Sequence, residues 1–278
     1  MTIRRAFLDL PDGQIHYRQA GEGAPLLLLH PSPGSSRQMT GMMDALKGAF
    51  HVIAPDTAGN GDSTPLGIDQ PTIADYAARL PLLLDALGLD RVAVYGSHTG
   101  AAIACDLAIL HPDRVSHVLI DGIGLWSGEE QAELLSRYAH PFTPDSDGAY
   151  LMRAFQFCRD QYLFYPWYDR SRAARRDAGL RPADEFHAWL VEVLKAAETY
   201  HLAYHAAFSW DAAGRLPLVP CPTLLMAAQD DPLFDATRTA QPLLPDGRFV
   251  PLSRFDAPGF SGERAAAITQ FLKDSLPC

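Results

Sequence analysis

Cysteine, positive charge and long apolar runs are all scarce in this sequence of 278 residues. The four cysteines, Cys105, Cys158, Cys221 and Cys278, lie far apart with no C-x-x-C spacing. That excludes a dense disulfide framework and predicts reduced thiols in a cytoplasmic protein. Lys and Arg total 23 against 33 Asp and Glu, a formal charge of −10. Without an excess of cations to neutralise phosphates, nucleic acid is not an expected partner. The longest apolar stretches, Pro25 to Leu29 and Leu80 to Leu84, fall far short of the roughly 20 residues that span a bilayer, so no membrane segment is expected. The N-terminus reaches Asp9 and Pro11 before an apolar signal region can form, so no secretory signal is expected either. Internal repeats, low-complexity tracts and phosphate-cradling glycine loops are missing as well. What is plentiful is apolar content: 47 % of residues are hydrophobic and 20 % charged, which rules out disorder. The length accommodates two small domains or one large α/β domain with an insertion.

Short apolar runs alternate with longer helical patterns. Strands are predicted at Ala6 to Leu10, Gln14 to Gln19, Leu26 to His30, His51 to Pro55, Arg91 to Tyr95, Val115 to Ile120, Thr223 to Ala227 and Arg248 to Pro251. Several are near-continuous Leu, Val and Ile, as strands covered on both faces require. Helices are predicted at Ser36 to Leu46, Ile73 to Leu87, Gly100 to Leu110 and Ser261 to Leu276. This alternation predicts an α/β fold with a mostly parallel eight-stranded sheet, opened by a hairpin turning at Asp12-Gly13. It stops between about Trp126 and Pro217, where helices are predicted at Glu129 to Tyr138, Gly148 to Tyr162 and Ala183 to Trp210. Because the strand pattern resumes afterwards, residues 126–215 read as a helical cap inserted into a core of residues 1–125 and 216–278.

The most informative segment is Val92-Ala93-Val94-Tyr95-Gly96-Ser97-His98-Thr99-Gly100-Ala101-Ala102. An apolar strand enters a small-residue helix through Gly-x-His-x-Gly, the spacing of a nucleophile elbow, whose glycines permit a sharp turn that projects the middle side chain. Upstream stand His30-Pro31-Ser32-Pro33-Gly34 and Asp56-Thr57-Ala58-Gly59-Asn60-Gly61-Asp62-Ser63; downstream stands Gln229-Asp230-Asp231-Pro232. With these motifs in order from about Ile3 to Leu276, the chain resembles the capped α/β-hydrolase superfamily. That resemblance implies helices on both sheet faces, a backbone oxyanion hole and an acid after the penultimate strand.

Two departures bear on function. The elbow centre is His98 where the superfamily has Ser, Cys or Asp, and no histidine follows His205 where the resemblance expects the relay histidine. The stretch Leu252 to Gly259 has Arg254 or Phe255 at the matching place, so an ordinary Ser, His, acid relay cannot be assembled. The oxyanion amides map to Ser32 and Thr99, with Pro31 where the superfamily usually has glycine. The acid maps to Asp231, with Asp230 and Asp121 as substitutes. An imidazole on the elbow itself reaches further than a hydroxyl. It is expected to fill the vacated relay space, bond Asp231, and serve as general base or nucleophile.

Two other readings stay open: a ligand-binding pseudoenzyme, and a serine esterase using Ser97, which lies one residue before the apex. Within the cap, Phe155, Phe157, Tyr162, Phe164, Tyr165, Trp167 and Tyr168 suggest an apolar or aromatic pocket. Ordinary packing is the competing account of each. Phe155, Trp167, His30, Ser97, His201 and His205 are the candidate substrate contacts, His30 doubling as a brace of its loop. His201 and His205 share a helix face but lack the glutamate or third ligand of a zinc motif. The run Arg170, Arg172, Arg175, Arg176 reads as a wetted helix face, and Arg153 and Arg159 as solvated or Asp160-paired. The expectation is a cofactor-independent enzyme without a metal, acting on a small apolar or aromatic carbonyl, ester or enol-type substrate by hydrolysis, carbon-carbon cleavage or another proton-abstraction chemistry.

Overall fold

The apolar segments assemble into one eight-stranded sheet in the computed structural model, which describes residues 2–274. The strands are β1 (Arg4–Leu10), β2 (Gly13–Ala20), β3 (Ala24–Leu29), β4 (Phe50–Pro55), β5 (Val92–Ser97), β6 (Val115–Asp121), β7 (Thr223–Ala228) and β8 (Gly247–Leu252). Their order is β1-β2-β4-β3-β5-β6-β7-β8. The β1–β2 and β2–β4 pairs are antiparallel and the remaining pairs parallel. The hairpin turn differs by one residue from the sequence expectation: Leu10 pairs with Gly13, so Pro11 and Asp12 form the turn. Proline presets the backbone there, and Gly13 takes the following positive φ of 138°.

Strand periodicity explains the two cores. Leu27, Leu29, Ile53, Val94 and Val118 point to one face, under α2 (Ile73–Ala77), α3 (Leu80–Ala86) and α4 (Thr99–Leu110). Leu26, Leu28, Val52, Tyr95 and Leu119 point to the other, under α1 (Thr40–Leu46) and α11 (Phe260–Asp274). Each fully buried Leu, Ile or Val contributes about 1.5–3 kcal/mol relative to an exposed one, so a strand shifted by one register position would forfeit an entire face.

Five helices fall between β6 and β7: α5 (Gly128–Arg137), α6 (Ala149–Leu163), α7 (Ala183–Lys195), α8 (Tyr200–Ser209) and the short α9 (Ala212–Arg215); α10 (Phe234–Ala240) follows β7. Tyr138, Phe142, Phe157, Tyr200, Tyr204 and Phe208 bury one another in a third, mostly aromatic core among them.

Two predicted helices are broken. Ile73 to Leu87 divides into α2 and α3 because Pro81, in the first turn of α3, lacks the N–H that a continuous helix would need. Ala183 to Trp210 divides into α7 and α8 around Thr199, whose hydroxyl donates to the Gly59 carbonyl. Ser261 to Leu276 corresponds to α11, its last two predicted residues and Cys278 lying outside the described residues. Among the described residues, no helix is long and apolar enough to cross a membrane.

Candidate active site

The end of β5 turns into α4 at His98, which has φ 50° and ψ −111°. Among the described residues it is the one non-glycine with positive φ, a conformation costing roughly 1–2 kcal/mol for an L-residue. The flanking glycines make the turn sterically feasible. A β-carbon on Gly96 would lie 2.1 Å from the Gly100 carbonyl oxygen, and one on Gly100 would lie 2.5 Å from that of Leu29. The His98 amide anchors the turn by donating to the carbonyls of Asp121 (3.2 Å) and Gly122 (3.1 Å) at the end of β6.

From this apex the imidazole reaches the turn after β7. His98 Nε2 lies 2.8 Å from Asp231 Oδ2, with the His98 side chain 35 % exposed and that of Asp231 1 %. An ionised carboxylate only accepts, so Nε2 carries the proton and, in the neutral imidazole, Nδ1 keeps its lone pair. Asp231 Oδ1 accepts from the Leu233 amide at 2.8 Å, which fixes the carboxylate. Burial pulls the imidazolium pKa down, but the charge and hydrogen bond of Asp231, with help from Asp121, leave it above the ordinary histidine value. The Asp231 carboxyl is displaced the other way. Burial raises it, yet His98, the Leu233 amide and Arg176 hold it below the usual carboxylate range.

The other candidate acids are committed elsewhere. Asp121 accepts from the Tyr95 hydroxyl and, at 2.9 Å, from Arg264. Asp230 accepts from the Phe255 amide at 2.8 Å and faces Arg254 at 4.0 Å. The place where a relay histidine would stand is occupied by Phe255, which lines the cavity, while Arg254 turns to Asp177 and Asp256.

Gly122, which no motif singled out, makes the His98–Asp231 contact sterically possible. A β-carbon there would lie 2.7 Å from His98 Cδ2 and 3.2 Å from Asp231 Oδ2, and its φ is +76°. The Asp121-Gly122 pair directly after a strand was the available signal.

His98, Asp231, Ser97, Thr99 and Ser32 open onto a cavity of about 310 Å³. Thr99 begins α4, so its amide has no intrahelical acceptor. Neither it nor the Ser32 amide bonds a protein group among the described residues. Ser32 Oγ is also buried without a partner. The loop behind Ser32 is braced by His30, which donates from Nδ1 to the Pro31 carbonyl and accepts the Thr57 amide on Nε2, both at 2.9 Å. Burial keeps His30 below the ordinary histidine value. It supports the loop from behind and does not line the cavity, contrary to its expected substrate contact.

The aromatic expectations are redistributed in the same way. Phe155 packs on Phe186 at the surface and Trp167 on Phe157 and Tyr168, the Trp167 indole donating to the Tyr138 carbonyl. Neither lines the cavity, whose apolar wall comes from Trp126, Tyr138, Tyr165, Trp189, Tyr204 and Phe208. Burial keeps these phenols neutral, pushing Tyr165 up to about 12. His201 and His205 border two separate surface clefts. His205 is bonded to the Ala139 carbonyl at 3.0 Å, and neither histidine lines the cavity. The periodicity of a helix places side chains on a face but not against a particular neighbour, and here α8 turns Tyr204 and Phe208 inward instead.

The arginine run is corrected too. Residues 170–176 form no helix, and Arg176 lines the cavity, donating to the carbonyls of Gln161 (2.9 Å) and Asp230 (3.1 Å). Arg153 pairs with Asp145, and Arg159 and Arg170 with buried Asp160.

His16, Asp56 and Asp62 bring three possible ligand atoms within 4.8 Å of one another. Asp56, however, already accepts from His16, the Ser36 amide and the Asp62 amide. Against the upward push of burial, these partners lower its pKa to about 2. A β-carbon on Gly61 would lie 2.0 Å from Asp56 Oδ2, so this cluster ties together the loops behind Ser32.

The sheet, the elbow and the acid-bearing turn define a family. The chain belongs to the α/β-hydrolase-fold family, which it matches over residues 24–249. It is 33 % identical over 127 residues to haloalkane dehalogenase 2 of Mycobacterium bovis, covering 45 % of this chain and 44 % of that protein. It is 38 % identical over 109 residues to a soluble epoxide hydrolase of Corynebacterium sp., covering 38 % and 37 %. The match thus spans less than half of these relatives. In fold it is similar to a thermophilic esterase from Thermogutta terrifontis, with a TM-score of 0.74, 21 % identity and 98 % of each chain covered.

Proposed function

We propose that this chain is a cofactor-independent enzyme of hydrolase type, in which His98 and Asp231 act as the general base on a small apolar carbonyl, ester or enol-type compound. In this reading residues 126–215 form a cap over a core of residues 1–125 and 216–278. One observation carries it: an imidazole whose Nε2–H is held by a buried carboxylate while Nδ1, without a protein partner among the described residues, borders a cavity that two unengaged amides also share. For an ester, Nδ1 takes a proton from water as the oxygen attacks the carbonyl carbon. The Ser32 and Thr99 amides stabilise the resulting oxyanion, and the proton passes to the leaving alkoxide as its C–O bond breaks. Asp231 holds the tautomer and offsets the charge on the imidazolium. The relatives named as a dehalogenase and an epoxide hydrolase support a hydrolytic reading. The buried, unpaired Cys105, Cys158 and Cys221 support a reducing, cytoplasmic setting.

The test is a screen of short p-nitrophenyl esters together with a fluorophosphonate probe. The expected result is turnover without covalent labelling, unaffected in kind by Ser97→Ala. Labelling that disappears in Ser97→Ala would instead assign the chemistry to that hydroxyl. The pH profile is a second expectation. The base works as neutral imidazole, so kcat/KM should fall as pH drops through a midpoint above the ordinary histidine value of about 6.5. In Asp231→Asn the largest upward influence is gone and burial is opposed only by Asp121, so that midpoint should move below the wild-type value. A wild-type profile flat from pH 5 to 9 would remove the imidazole from the rate equation.

A further inference from the structure

We infer that Arg176 anchors a carboxylate of the substrate, so that the cavity takes small aromatic or apolar acids, or esters and ketones that also bear a carboxylate. This deepens the proposed function by naming its substrate class and rests on that reading of the site. The guanidinium belongs to a segment with no helix or strand between α6 and α7 and is only partly buried. It is held in place by backbone carbonyls, its Nη1 donating to Gln161 and its Nη2 to Asp230. Carbonyl acceptors fix a guanidinium without neutralising it, and Arg176 makes no ion pair among the described residues.

Among the described residues, the carboxylates near Arg176 are engaged by other groups. Asp231 is engaged by His98 and the Leu233 amide. Asp230 is engaged by the Phe255 amide and lies near Arg254. Asp177 pairs with Arg254, and Asp121 with Arg264 and the Tyr95 hydroxyl. Arg176 feels the charge of Asp231 but forms no ion pair with it, and a guanidinium that borders a partly aromatic cavity without a direct ion pair suits an anionic ligand group. Planar guanidinium with donors to spare suits a carboxylate.

A second observation lies on the same wall. The Gln161 side-chain nitrogen is buried without a hydrogen-bond partner, while its oxygen accepts from the Tyr204 hydroxyl at 3.2 Å. Gln161 and Arg176 both line the cavity, so an unused amide donor accompanies the unpaired charge. The aromatic residues that also line the cavity supply a surface for the apolar remainder of the ligand.

The experiment is calorimetric titration of the full-length protein with benzoate, phenylacetate and butyrate, each beside its neutral amide. Binding needs no turnover, so the result stands apart from the catalytic reading. The acids should bind at least about tenfold more tightly than their amides. Arg176→Gln should erase that preference, Arg176→Lys should keep part of it, and His98→Gln should keep it while losing turnover. Equal affinity for acid and amide overturns the inference, as does no detectable binding of any acid or a preference that survives Arg176→Gln. Turnover that persists in His98→Gln with the acid preference intact would overturn the base assignment and leave the carboxylate subsite standing.

Discussion

Replacing His98 with glutamine should lower kcat by about 10²- to 10⁴-fold, the range general-base catalysis supplies, with little change in KM. Glutamine is the informative substitution because its side-chain NH2 can still donate toward Asp231, whereas it has no nitrogen lone pair to accept a proton. Alanine removes both. It would leave the Asp231 carboxylate, 1 % exposed, with only the Leu233 amide and Arg176 nearby. Breaking a buried pair from one side costs about 3–5 kcal/mol, so an inactive His98→Ala could reflect unfolding. The pair of variants separates these effects: thermal unfolding should drop much further for alanine than for glutamine, while both lose turnover. Wild-type kcat in a folded His98→Gln would end the general-base reading. The positive φ at His98 adds a second, smaller expectation within the same measurement. Since every L-residue at that apex bears the same backbone strain, glutamine should not relieve it.

Gly122→Ala should reduce kcat/KM by about 10²-fold or more, the scale that an ångström of misplacement produces. The added β-carbon would lie 2.7 Å from His98 Cδ2 and 2.8 Å from Nε2, well inside van der Waals contact. The imidazole must therefore rotate away from Asp231 or the end of β6 must move. Rotation is the easier response, because the Gly122 amide is tied to the Met226 carbonyl at 2.9 Å and its own carbonyl accepts the His98 amide. The positive φ of +76° adds roughly 1–2 kcal/mol of strain for alanine. With the hydrogen bond to Asp231 lost and the ring turned away from its charge, the imidazole pKa should fall, since burial is then less strongly opposed. An imidazole NMR titration checks this directly: the midpoint should lie below that of the wild type. A variant with wild-type kcat/KM and titration would show that the 2.8 Å contact is dispensable.

How much of this was legible beforehand differs between elements. The strands were readable because period-two alternation and buried apolar runs are local signals, and all eight lie where those runs predicted them. The elbow was equally readable, since Gly96, His98 and Gly100 sit within five consecutive residues and each glycine answers to a steric demand of the turn. Helix continuity was not. Pro81 carried a local warning, but the contact made at the break between α7 and α8, from the Thr199 hydroxyl to the Gly59 carbonyl, joins residues 140 apart in sequence. The aromatic wall was the least legible part. Phe155 and Trp167 have the composition of pocket residues, yet packing directs them to Phe186, Phe157 and Tyr168. Tyr138, Trp189 and Tyr204, which carried no such signal, face the cavity. Arg176 looked like one of a solvated run because charge clustering reveals nothing about which member turns inward.

The amino-acid sequence by itself determined the fold family, the position of an imidazole at the elbow and the absence of a histidine after His205. Each of these is a matter of residue identity and short-range spacing. The tertiary structure alone decided which acid meets His98, what space Gly122 leaves for their contact, and that the Arg176 guanidinium borders the cavity with no ion pair among the described residues. The physical reason is separation. His98 and Asp231 are 133 residues apart, and the energy of a hydrogen bond or the cost of an unpaired charge depends on distances of a few ångströms. Only the packing of β5, β6 and β7 into one sheet sets those distances.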